Sequence, residues 1–119
     1  MAGWLPHSRI SWIKLMSNTN TINVDTVLSA FYEVAEAQSW HQNHSPRKLA
    51  SAISVEAAEL LREFQWLGDE DSLTETRVAA VASEVADVLM YALVLCDKLE
   101  IDVAEALKQK IADNRQRFM

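Results

Sequence analysis

Glycine and proline are almost missing from this chain, with two of each in 119 residues. That scarcity excludes collagen-like, linker-rich and many-turned all-β designs, which need turn residues often. One cysteine, Cys96, excludes an internal disulfide and fits a reducing, cytoplasmic setting. Long uncharged hydrophobic runs are also lacking. Val78 to Cys96 is mostly apolar, but Glu84 and Asp87 interrupt it. The unbroken part, Val88 to Cys96, is far shorter than the roughly 20 residues of a bilayer span, so no membrane is expected as a partner. Arg9 and Lys14 near the start are not followed by the apolar run of a signal core. Basic residues are outnumbered 11 to 17, for a net charge of −6. Such a chain is poorly suited to neutralising phosphates along a duplex, and no nucleic-acid partner is expected. There is no HExxH, no cysteine cluster, no Glu-x-x-His pair of the di-iron kind and no GxxxxGK[ST] loop.

What remains is half hydrophobic and about a quarter charged, rich in alanine, leucine and glutamate, and reads as one all-α domain. Residues 1–23 stand apart, with Trp4, Pro6 and Trp12 before the polar run Ser17-Asn18-Thr19-Asn20-Thr21. They form either an N-terminal arm that packs on a partner subunit or an upstream extension, with Met16 as an alternative start. Residues 24–119 hold the domain.

Four helices are expected there. The first runs from about Val24 to Gln42, because Val24, Val27, Leu28, Phe31, Val34 and Ala35 recur at helical spacing, with Asn23 or Asp25 as its cap. The second begins at the cap Ser45 with Pro46 in the first helical position and stops at Gly68, before the acidic loop Asp69-Glu70-Asp71. The third runs from about Thr74 or Glu75 to Leu99 and is apolar nearly all round. A chain this short has little interior to hide such a helix, which points to a homodimer or homotetramer with a shared helical core. The fourth is capped by Asp102 with Glu105 three residues on, and carries the stripe Val103, Leu107, Ile111 and Phe118.

Glu56 and Glu59 sit three apart on the second helix, and Glu84 and Asp87 repeat that spacing on the third. Two antiparallel helices and a turn bring the pairs together. Glu56 and Glu84 fall on apolar stripes, where an ionised carboxylate is costly unless compensated. Like charges in a cluster raise that cost further. A divalent cation resolves both problems, and an all-oxygen set suits Mg²⁺, with Mn²⁺ as a substitute, better than zinc. The competing reading is a structural network in which these acids pair with Lys or Arg between helices.

Several stretches carry a resemblance. They are His44-Ser45-Pro46-Arg47-Lys48-Leu49, Val55-Glu56-Ala57-Ala58-Glu59-Leu60, Phe64-Gln65-Trp66, Ser83-Glu84-Val85-Ala86-Asp87-Val88-Leu89-Met90-Tyr91 and the ending Lys110 to Phe118. Together they resemble the MazG-type all-α nucleoside triphosphate pyrophosphohydrolases, in the single-domain branch that includes the dCTP pyrophosphatases. The resemblance spans Val24 to Phe118 and implies a MazG-like four-helix bundle. It implies that Glu56, Glu59, Glu84 and Asp87 hold Mg²⁺, with Glu56 and Glu59 catalytic. Trp40 and Trp66 would line a base pocket, with Tyr91 near the nucleotide. Arg47, Lys48 and Lys110 would contact phosphates, and Asn114 phosphate and sugar. Phe31 stands where dCTP-specific relatives carry a histidine. The reaction implied is hydrolysis of a (deoxy)nucleoside triphosphate to monophosphate and pyrophosphate, with dCTP or a related dNTP favoured, as pool cleaning. Rival readings are a non-catalytic helical dimerisation or protein-binding module, or a dUTPase or phosphoribosyl-ATP pyrophosphatase of the same superfamily.

Overall fold

Each helix opens on a polar side chain that accepts a hydrogen bond from a backbone N–H three residues on, satisfying one of the donors a helix start leaves unpaired. Asn23 caps α1 (Val24–Ala37), accepting from Thr26 at 2.9 Å. Ser45 caps α2 (Pro46–Arg62) from Lys48, with Pro46 at the first position as its sequence suggests. Thr74 caps α3 (Glu75–Lys98) from Arg77, and Asp102 caps α4 (Val103–Phe118) from Glu105. The computed structural model describes residues 21–40 and 44–119. Most of the segment 1–23, and the expected helix end at Gln42, lie outside the described residues. Among those described there are four helices and no strand.

Two helix ends differ from the sequence reading. The first helix stops at Ala37, because Ser39 turns into the left-handed region at φ 56°. Ser39 N–H then donates to the Glu36 carbonyl and Trp40 N–H to the Ala35 carbonyl, closing the helix without glycine. The α-helical part of α2 ends at Arg62 rather than at Gly68. Tighter turns carry the chain on, from Glu63 N–H to Leu60 and from Gln65 N–H to Arg62. Gly68 instead anchors the acidic loop, its N–H donating to Asp71 Oδ2 at 2.8 Å. The end of α3 agrees with its expected place and uses the same left-handed closure at Glu100.

Helices α2 and α3 lie antiparallel, since Glu56 meets Asp87 while Glu63 meets Arg77 further along. Helix α1 packs on α3 through Phe31 against Tyr91 and through Tyr32, whose hydroxyl donates to Asp97 Oδ2 at 2.6 Å. Among the described residues the buried core is four side chains, Phe31, Ala35, Leu49 and Val94, ringed by Leu28, Tyr32, Met90, Tyr91 and Leu95. No residue of α4 is buried, and its stripe of Leu107, Ile111 and Phe118 stays exposed. Helix α3 is long and apolar enough to cross a membrane by length and composition. In the fold it is the helix against which α1 and α2 both pack, and it carries Glu84 and Asp87.

Candidate metal centre

The antiparallel pairing of α2 and α3 faces one acidic row with another. Glu56, Glu84 and Asp87 each offer a carboxylate oxygen, and these oxygens all lie within 4.8 Å of one another. All three side chains are half-buried. Among the described residues, Oε2 of Glu56 and Oε2 of Glu84 are buried with no hydrogen-bond partner. Anionic oxygens shielded from water and unmatched by a donor are costly to keep. Glu59, one turn beyond Glu56, is also half-buried.

The electrostatics follow from that crowding. Burial first, and then the neighbouring carboxyls of Glu59, Asp87 and Glu84, push the Glu56 carboxyl up to about 7. Glu84 is raised too, by burial first and then by Glu59 and Asp87. Hard oxygen donors in this number, two of them orphaned, fit a divalent cation, and the group is able to hold one.

A pH dependence follows. Below about 4.5 the Glu56 carboxyl is protonated whether or not the chain is folded. Between that value and about 7 only the folded chain keeps the proton, so stability falls as pH rises through this window. Thermal unfolding in EDTA should therefore show a metal-free Tm that declines from pH 4.5 to 7. The Glu56→Gln variant should show a shallower decline. Metal affinity should run the other way and strengthen with pH, because a ligand carboxylate must be deprotonated.

Beside the carboxylates stands an aromatic group. Tyr91 follows Asp87 by one turn of α3, and its hydroxyl is raised by burial first and then by the charges of Glu56 and Asp87. Its ring meets Phe31 edge-on at 5.8 Å and His44 at 6.4 Å. His44 in turn meets Phe31 at 5.4 Å and Trp40 at 6.3 Å. Trp40, at 40% exposure, is thus the outer edge of a cluster that ends at the carboxylates.

Not every residue singled out from the sequence joins this place. Trp66 is 87% exposed in the turns after α2, with no ring contact to the cluster. Arg47 and Lys48 are exposed in the first turn of α2. Lys110 and Asn114 are exposed on α4, and neither has a hydrogen bond or ion pair to the acids. Two features escaped the sequence reading. The His44 ring sits within the aromatic cluster, a place that its position just before the Ser45 cap does not signal. The pair of Arg77 with Glu63, 2.9 Å apart, joins α3 to the start of the loop beside the acids. Its sequence signal was the spacing Glu56, Glu59, Glu63, which continues the acidic row by a further turn.

The chain belongs to the MazG-like family, whose model matches residues 51–118. It is similar to dCTP pyrophosphatase 1 of Mus musculus, 34% identical over 90 residues that make up 72% of this chain and 53% of that protein. Against dCTP pyrophosphatase 1 of Homo sapiens the identity is 33% over the same shares. The chain spans about half the length of the curated relatives it matches. Among solved structures it is similar to a pyrophosphatase from Archaeoglobus fulgidus, with 36% identity and a TM-score of 0.74, over 85% of this chain and 96% of that one.

Proposed function

We propose that this protein is a Mg²⁺-dependent nucleoside triphosphate pyrophosphohydrolase that acts on deoxynucleotides, with dCTP or a related dNTP favoured. The observation that carries the reading is the convergence of Glu56, Glu84 and Asp87 from two helices, with two carboxylate oxygens buried and unpaired. The similarity to dCTP pyrophosphatase 1 supports the choice of substrate.

Glu56, Glu84 and Asp87, with Glu59 beside them, would hold the cation. Mg²⁺ bound there supplies charge neutralisation for the phosphates and a lowered pKa for water, and Mn²⁺ is the expected substitute. Glu59 adjoins the cluster without belonging to its tightest three oxygens, which suits it to take the proton from the attacking water. The water oxygen bonds to phosphorus, the bond between the α and β phosphates breaks, and monophosphate and pyrophosphate leave. Trp40 and Tyr91 take the base and sugar, with stacking as the attraction. Arg47 and Lys48, at the start of α2 and so toward the base end, would reach no further than the α-phosphate.

Trp66, Lys110 and Asn114 complete the pocket in an assembly of two or four copies. Exposed Trp66, Leu107, Ile111 and Phe118 support that assembly, because one chain alone leaves much apolar surface in water. The reading places the protein in the cytoplasm as a pool-cleaning hydrolase. Pyrophosphate release from a panel of dNTPs and NTPs, with wild type beside Glu59→Gln, tests it. Metal-dependent release that disappears in the variant is expected, and the rank order names the base. A folded wild type that releases none refutes the reading and leaves the helical binding module.

A further inference from the structure

The face of α3 that bears Glu84 has a polarity along its length. Tyr91 lies seven residues after Glu84 and Arg77 seven residues before it. Each is two turns and about 10 Å away on the same face of the helix. The face thus runs from the aromatic cluster, through the carboxylates, to a guanidinium. Arg77 Nη1 donates to Glu63 Oε1 at 2.9 Å. Glu63 follows Glu56 and Glu59 in the acidic row of α2, and its charge is felt at Glu84.

This ion pair is open to water, with the Arg77 side chain 43% exposed and that of Glu63 23% exposed. An exposed pair of this kind contributes little to stability and is easily exchanged. A guanidinium, by contrast, matches phosphate oxygens with two parallel donors. A triphosphate entering this face meets Glu56, Glu59, Glu63, Glu84 and Asp87, all of its own sign. With the base at the Tyr91 end, the α-phosphate falls among the carboxylates and the terminal phosphates extend toward Arg77.

We propose that Arg77 anchors the pyrophosphate end of the nucleotide, resting on Glu63 in the free protein and transferring to the β- and γ-phosphates on binding. Resting on the enzymatic reading above, the proposal adds which residue recognises a triphosphate as against a monophosphate. Glu63 then competes for Arg77 and favours release of pyrophosphate after cleavage.

Calorimetric titration of magnesium pyrophosphate, and separately of dCMP, into wild type and variants tests this without turnover. Arg77→Gln should weaken magnesium pyrophosphate about 10-fold or more, the loss of a charge-assisted hydrogen bond, and leave dCMP nearly unchanged. Arg77→Lys should be intermediate. Glu63→Gln, which frees the guanidinium, should bind pyrophosphate at least as tightly as wild type. Equal pyrophosphate affinity in Arg77→Gln and wild type would overturn the proposal, and so would a parallel loss of both ligands. Should Arg77→Gln lose its helical circular dichroism, Arg77→Lys decides, and an unchanged affinity there overturns it. A wild type that binds neither ligand and releases no pyrophosphate would sink the enzymatic reading itself. A wild type that does both, beside an indifferent Arg77→Gln, removes only the role of Arg77.

Discussion

Replacing Glu84 with glutamine should make the metal-free protein more stable while removing its turnover. Glu84 carries a buried, unpaired Oε2 and is crowded by Glu59 and Asp87. A carboxamide of the same shape removes one negative charge from that group and brings two N–H donors to oxygens that lack partners. Thermal unfolding in EDTA should therefore give a higher Tm for Glu84→Gln than for wild type. Mg²⁺ should then raise the wild-type Tm and leave the variant nearly unmoved, because a ligand that binds only the folded state stabilises it. Hydrolysis should fall by about 100-fold or more, at or beyond what losing even an outer partner of a metal ligand costs. A variant less stable without metal would mean that Glu84 has a structural partner after all. The acids would then be the helix-pairing network that competes with the metal reading.

The second large effect concerns the core. Leu49 on α2 and Val94 on α3 are fully buried, and among the described residues only Phe31 and Ala35 join them in the buried set. Leu49→Ala leaves a cavity where few other buried contacts compensate, and should cost about 3 kcal/mol. That is a sizeable share of the 5–15 kcal/mol that holds a typical domain together. Urea unfolding should show a lower midpoint with an unchanged slope. The same change at Leu107, exposed on α4, should leave a dilute single chain almost untouched. A marked loss at Leu107 would show that α4 is covered by another copy under the conditions used.

Local chemistry was legible wherever a side chain speaks to its own backbone. Ser45 before Pro46, and Asp102 before Glu105, gave the starts of α2 and α4, and both caps form. The end of α1 was not legible, because Ser39 adopts a left-handed conformation that its residue type does not advertise. The acidic pairs were legible because their period puts two carboxylates on stripes that are otherwise apolar, and Glu56, Glu84 and Asp87 do converge. What faces those stripes was not. Periodicity shows which side of α4 is apolar, not what covers it, and Leu107 and Ile111 remain exposed. His44 escaped for a related reason: its ring contacts come from α1 and α3, distant in sequence.

The most direct test is to identify the products of dCTP with wild-type protein and Mg²⁺ by phosphorus NMR. The account predicts dCMP and pyrophosphate in equal amounts, with formation stopped by EDTA. Orthophosphate with dCDP, or no turnover by folded protein, would contradict it.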